Sequence, residues 1–157
     1  MKVKSPGTTN QKRRIVLAAL YILSKYQGVH RPHKQRVLDF VRSAGLMHIP
    51  PRDENYRLAG EEVWKHDLSW ARNALRDEGL LRMPERGIWE ITELGERGVQ
   101  AWAQRVKKTT DGKQNWVSDF KAHSGPEAEF DEEFHYEYYI TEETVRWALK
   151  IATDAPK

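Results

Sequence analysis

Lys65, Ser69, Arg72 and Arg76 follow one another at spacings of four, three and four residues. On a helix such residues fall on one stripe, because positions three and four apart share a face. Asn73 and His66 lie beside that stripe. The residue types suggest a chemistry: Arg and Lys donate to the edge of guanine, Asn pairs with adenine, and any cation neutralises a phosphate. Arg82 and Arg86 follow in "LRMPERGIWEIT", the second beside Gly87 at a tight Pro-Glu-Arg-Gly break. The set Lys65, Ser69, Arg72, Asn73, Arg76, Arg82 and Arg86 suits recognition of a polyanion rather than the making or breaking of bonds.

Two elements must position these side chains. In "EEVWKHDLSWARNALRDEG" the acidic start suits a helix N-terminus and Gly79 suits its end. Steps of 100° put Trp64, Leu68, Ala71 and Leu75 on one flank, away from the basic stripe. Leu81 and Met83, then Trp89 and Ile91, alternate with polar residues as half-buried strands do. Pro84–Gly87 between them is a four-residue hairpin loop, with Arg86 at its tip.

The remaining elements form the support. Apolar positions from Ile15 to Leu23 predict an amphipathic helix from Thr9 to Tyr26, stopped by Gly28. A second helix starts after Pro32, with Val37, Leu38, Phe40 and Val41 inward, and stops at Gly45. The adjacent Pro50 and Pro51 forbid a continuing helix, so Met47–Gly60 reads as a loop. Thr92 caps a fourth helix, Glu93 to about Val106, and Gly95 and Gly98 allow it to pack closely against the hairpin. Thr141 caps a terminal helix. The expected fold is mainly α with a small β-hairpin, a winged helix-turn-helix with a C-terminal extension. Residues 1–10 read as a flexible basic arm, 11–108 as the winged-helix domain, and 109–157 as an acidic aromatic extension ending in a helix.

Charge follows the same division. Residues 1–106 hold 19 Lys+Arg against 12 Asp+Glu, a net of +7, whereas 107–157 hold 7 against 11, a net of −4. A basic body implies a polyanionic partner. The 157 residues include no cysteine, which excludes disulfides and thiolate metal sites and fits a reducing, cytoplasmic setting. No apolar run approaches the ~20 residues of a membrane span, and no signal peptide is read.

Other chemistry is poorly supported. His30 and His33 have a metal-like spacing, with His48 beyond, but no cysteine or carboxylate completes a ligand set. Glu127, Glu129, Asp131, Glu132 and Glu133 lack the ordered glycine of a calcium loop and read as a solvated acidic run. No glycine-rich phosphate loop, nucleophile elbow or paired acid and base is present. No cofactor or metal is expected, and the chain reads as a non-enzyme. Six tryptophans raise the idea of a ring stacking on a modified base through Trp64 or Trp70. Packing is the stronger reading for Trp70, Trp89 and Trp102.

The stretch from Trp70 to Gly95 resembles the N-terminal winged-helix domain of Mrr-type restriction endonucleases. The matching positions are Trp70, Ala71, Leu75, Gly79, Leu80, Arg86, Gly87, Trp89, Ile91, Thr92 and Gly95. The resemblance implies binding of double-stranded DNA, in restriction, defence or transcription control. No stretch of the 157 residues supplies that family's nuclease core, so a chain complete as given would bind and not cut. The rival reading is a protein-interaction or DNA-mimicking module acting through Phe130–Tyr139. The third reading is autoinhibition, with that acidic tail folded over the basic stripe; self-association through residues 127–152 is also open, with Val145, Trp147, Leu149 and Ile151 forming a helical interface.

Overall fold

The computed structural model describes residues 10–49, 57–58, 61–110 and 141–155. The helices are α1 (Asn10–Tyr26), α2 (Lys34–Ser43), α3 (Val63–Asp77), α4 (Glu93–Thr110) and α5 (Glu142–Asp154). Two antiparallel pairs join them: β1 (Arg57–Leu58) with β2 (Glu61–Glu62), and β3 (Leu81–Arg82) with β4 (Glu90–Ile91). The chain is mainly helical with a small wing, the winged-helix arrangement.

α1 is the hub. Every residue from Ile15 to Leu23 is buried, so the helix expected to be amphipathic is enclosed on all sides. Helices α2, α3 and α4 and strand β4 all pack against it. The first turns bury charge as well: Lys12 is fully buried and donates to Asp67 of α3 at 2.8 Å. That ion pair ties the hub to α3, the helix carrying the polar stripe.

The wing has a third, abbreviated member. Trp89 N–H donates to the Pro32 carbonyl at 3.0 Å, and Lys34 N–H donates to the Gly87 carbonyl at 2.7 Å. His33 and Ile88 thus form an antiparallel bridge between the start of α2 and the far side of the hairpin. His33 also caps α2, its Nδ1 accepting the Gln35 N–H at 3.1 Å. Gly87 holds a φ of +80°, and a Cβ there would lie 3.0 Å from His33 Nε2. Glycine is therefore required by the backbone and by the neighbour.

Four boundaries depart from expectation. The ladder pairs Leu81 with Ile91 and Arg82 with Glu90, so residues 83–89, not only Pro84–Gly87, form the connection. The engagement of Gly87 and Trp89 by the start of α2 draws those residues out of the two-strand ladder. The end of the expected Met47–Gly60 loop carries β1, paired with Glu61–Glu62. Those acids were expected to open α3, yet the helix begins at Val63. Glu62 is held extended because its carboxylate accepts from both Arg42 and the Trp64 indole. Finally, α4 runs past Val106 to Thr110.

α5 closes the core. Thr141 caps it, accepting from Thr144 N–H at 3.2 Å while donating to the Gly45 carbonyl at 2.6 Å. Thr144 donates to the Leu46 carbonyl. Val145, Ala148, Ile151 and Ala152 are buried, α5 packs on α4, and the Trp147 ring meets Tyr26 edge-on at 5.2 Å. Val145 and Ile151 are spent in the chain's own core. They are closed to the intermolecular interface suggested by their spacing. The acidic stretch Glu127–Tyr139 lies outside the described residues.

Candidate nucleic-acid interface

α3 has a dry flank and a wet one. Trp64, Leu68 and Ala71 are wholly buried and Leu75 nearly so, as the 100° wheel places them. The opposite side presents Lys65, His66, Trp70, Asn73, Arg76 and Asp77, all half-buried or exposed. Gly79 and Leu80 then turn the chain into the wing. Wing and helix are locked together at Thr92, whose hydroxyl donates to the Gly79 carbonyl at 2.7 Å and accepts from Gly95 N–H at 3.1 Å.

The seven sequence-selected residues divide by environment. Lys65 lies over the Trp64 ring, its amine 5.6 Å from the centroid. Arg76 is 48% exposed and, among the described residues, pairs with its neighbour Asp77 at 3.4 Å. Arg86, at the turn of the wing, is exposed. Arg82 is 61% exposed and pairs with Glu90, which also accepts from Arg31 at 2.9 Å. Burial raises the Glu90 pKa, but hydrogen bonds and charge from Arg82 and Arg31 outweigh it and hold the carboxyl below its ordinary value.

The other three are engaged within the chain. Arg72 is half-buried: its guanidinium covers the Trp89 ring at 5.4 Å, donates to Met83 Sδ at 3.2 Å and donates to Asn73 Oδ1 at 2.9 Å. Burial, and secondarily the Arg76 charge, lowers its pKa from the usual arginine value. This side chain fastens α3 to the wing. Ser69 is buried, its hydroxyl donating back to the Lys65 carbonyl at 2.9 Å. Asn73 is half-buried, and its side-chain oxygen serves Arg72.

One residue read as packing does the opposite. Trp70 is 51% exposed, in the middle of the wet face. Its indole N–H donates to His66 Nε2 at 2.9 Å, with the two rings edge to face. Packing claims the two rings on α3 differently, Trp64 fully and Trp70 hardly at all. The signal was available, since the same wheel turns Trp70 away from the apolar flank. Trp89 and Trp102 are buried as their spacing indicated.

Among the described residues no three His, Asp or Glu side chains converge as ligands. His30 pairs with Ser24 at 2.9 Å, and His33 is the α2 cap. No helix among the described residues is long and apolar enough to cross a membrane.

Fold and site together define the class: a winged-helix domain whose third helix turns a polar, aromatic and cationic face outward beside an arginine-tipped wing. Residues 13–101 match the family described as the Mrr N-terminal domain, and the chain belongs to that family. No curated protein and no solved structure matches it.

Proposed function

We propose that this protein binds double-stranded DNA without catalysis, with α3 entering the major groove and the wing lying along the backbone. The observation that carries the reading is the wet face of α3, where Lys65, Asn73 and Arg76 surround an exposed Trp70 and adjoin the wing arginines. A helix in the major groove reads base edges with such donors, and the wing adds phosphate contacts. Lys65, Asn73 and Arg76 face bases or phosphates. Arg82 and Arg86 neutralise phosphate, Arg82 at the expense of its pairing with Glu90. Ser69 and Arg72 act by holding the face in shape, and Arg72 reaches DNA only by leaving Trp89. Membership of the Mrr N-terminal family supports a role in restriction or defence.

The rival interaction-module reading depends on Phe130–Tyr139, outside the described residues. Deletion of residues 126–157 would not separate the two readings, because it removes the buried face of α5.

The test is a duplex titration by fluorescence anisotropy at two salt concentrations, comparing wild type with Arg76→Ala/Arg86→Ala. Both side chains are exposed, so the variant keeps its core. The expected result is salt-sensitive binding whose log–log slope falls by about 2 in the double variant, roughly one unit per phosphate contact. Absence of binding at low salt, or an unchanged slope, rejects the reading.

A further inference from the structure

The segment before α2 widens the wing beyond its two strands, and charge collects on one row across it. His33 pairs with Ile88, so two positions away Arg31 stands opposite Glu90, which is itself opposite Arg82. The three side chains are in contact. Glu90 accepts from Arg31 Nε through Oε2 at 2.9 Å, and from Arg82 Nε through Oε1. Alternation along the strands puts this row on the face opposite to Leu81, Trp89 and Ile91, which are buried.

The row is unbalanced. Two guanidiniums meet one carboxylate, and among the described residues neither arginine has a second carboxylate partner. The Arg31 and Arg82 side chains are 59% and 61% exposed, whereas that of Glu90 is 15% exposed. Each arginine engages Glu90 through Nε, and its terminal amino groups hold no partner among the described residues. Exposed ion pairs add little to stability, because water screens them and two long side chains must be ordered. A carboxylate with one oxygen on each guanidinium offers two acceptors to a pair of arginines, as a phosphate does.

We infer that Glu90 stands in for a DNA phosphate when the protein is free, and that Arg31 shares with Arg82 the phosphate that replaces it. This contact, which rests on the DNA-binding reading, adds to α3 and the hairpin an arginine from the segment before α2. Arg31 is brought to the row by the hydrogen bonds from Trp89 N–H to Pro32 and from Lys34 N–H to Gly87. On binding, one phosphate takes both guanidiniums and Glu90 gives them up. Its negative charge then lies close to the phosphate and opposes it. Glu90 thus holds affinity down while it steadies the wing.

Duplex titration by fluorescence anisotropy at two salt concentrations tests this with Arg31→Gln, with Glu90→Gln, and with Glu90→Gln added to Arg31→Gln/Arg82→Gln. Both arginines are exposed and glutamine keeps the shape of Glu90, so the variants retain the core. Arg31→Gln is expected to lower the log–log salt slope by about 1. Glu90→Gln, although less stable, is expected to bind at least ~3-fold more tightly, since a like charge beside the phosphate is gone. In the Arg31→Gln/Arg82→Gln background the same change should gain less than ~1.5-fold, because the phosphate no longer sits there. An unchanged slope in Arg31→Gln, or no gain in Glu90→Gln, overturns the proposal. An equal gain in both backgrounds, the mark of a general change in net charge, overturns it too. If the Arg76→Ala/Arg86→Ala slope still falls as expected, only the Arg31–Glu90 site is lost and the α3 reading stands. Absence of duplex binding by the wild type at low salt overturns both.

Discussion

Gly95 and Gly98 occupy the same helix three residues apart, and the structure gives them opposite responses to one added methyl group. A Cβ on Gly95 would lie 2.0 Å from the Leu80 carbonyl oxygen and 2.8 Å from Ile91 Cγ1. The first obstacle is backbone, so no rotamer change relieves it. α4 must move away from the hairpin, straining the Thr92 junction, where Thr92 N–H donates to the same Leu80 oxygen at 3.1 Å. Overpacking of this kind costs about 1–3 kcal/mol, and a weakened cap adds about 1 kcal/mol. Alanine's advantage over glycine inside a helix returns only about 0.5–1 kcal/mol. Gly95→Ala is therefore expected to lose about 2–3 kcal/mol net, whereas Gly98→Ala, with open space at its Cβ, gains about 0.5–1 kcal/mol. For a chain of this size the pair should differ by roughly 10 °C in midpoint. Urea and thermal unfolding followed by circular dichroism measure both. Variants of equal stability, or a more stable Gly95→Ala, would refute the close approach of α4 to the wing.

Other expectations follow from named contacts. Lys12→Met should destabilise by about 3–5 kcal/mol by taking the cation from buried Asp67, and Lys12→Met/Asp67→Leu should recover most of that in urea unfolding; a neutral single variant contradicts the pairing. Glu90 has a depressed folded pKa, so its stabilisation is complete above its unfolded pKa and lost as pH falls through the folded value. Glu90→Gln should therefore lower the melting midpoint at pH 7 and converge on wild type as pH falls through the depressed folded pKa of Glu90; an offset that stays constant as the solution is acidified speaks against the pairing with Arg31 and Arg82. Trp70→Ala should change stability by no more than about 0.5 kcal/mol, as for surface positions, while weakening duplex binding measurably. Unchanged affinity removes Trp70 from the interface.

Local periodicity made most of the frame legible. Trp64, Leu68, Ala71 and Leu75 were placed correctly because their burial depends only on which side of α3 faces the hub. The Thr92 and Thr141 caps were readable for the same reason, each needing only a hydroxyl before a helical run. Features created by distant partners were not readable. The Pro32–Lys34 edge of the wing is one bridge with no alternation to announce it, and His33 gives no sign that it must meet Gly87. Glu61 and Glu62 have the composition of a helix start, but contacts from Arg42 and Trp64 hold the backbone extended. Ile15–Leu23 shows helical spacing whether one side or all sides are covered.

The candidate site follows the same division. The exposure of Arg76, Arg82 and Arg86 agrees with a polar stripe and a turn. The inward engagement of Arg72 depends on Met83 and Trp89 from the wing, which no spacing within α3 encodes. Trp70 illustrates the converse, since residue type argued for packing while position argued for water. The pairing with His66 at 2.9 Å satisfies its indole without burying the ring.

The most direct test of the DNA-binding account is a ¹H–¹⁵N titration of the full chain with a short duplex. The expected perturbations fall on Lys65, His66, the Trp70 indole, Asn73 and Arg76, and on the Glu85–Gly87 turn, while α5 stays unmoved. Perturbations confined to α4 and α5, or none at low salt, would contradict the assignment of α3 and the wing as the DNA-binding face.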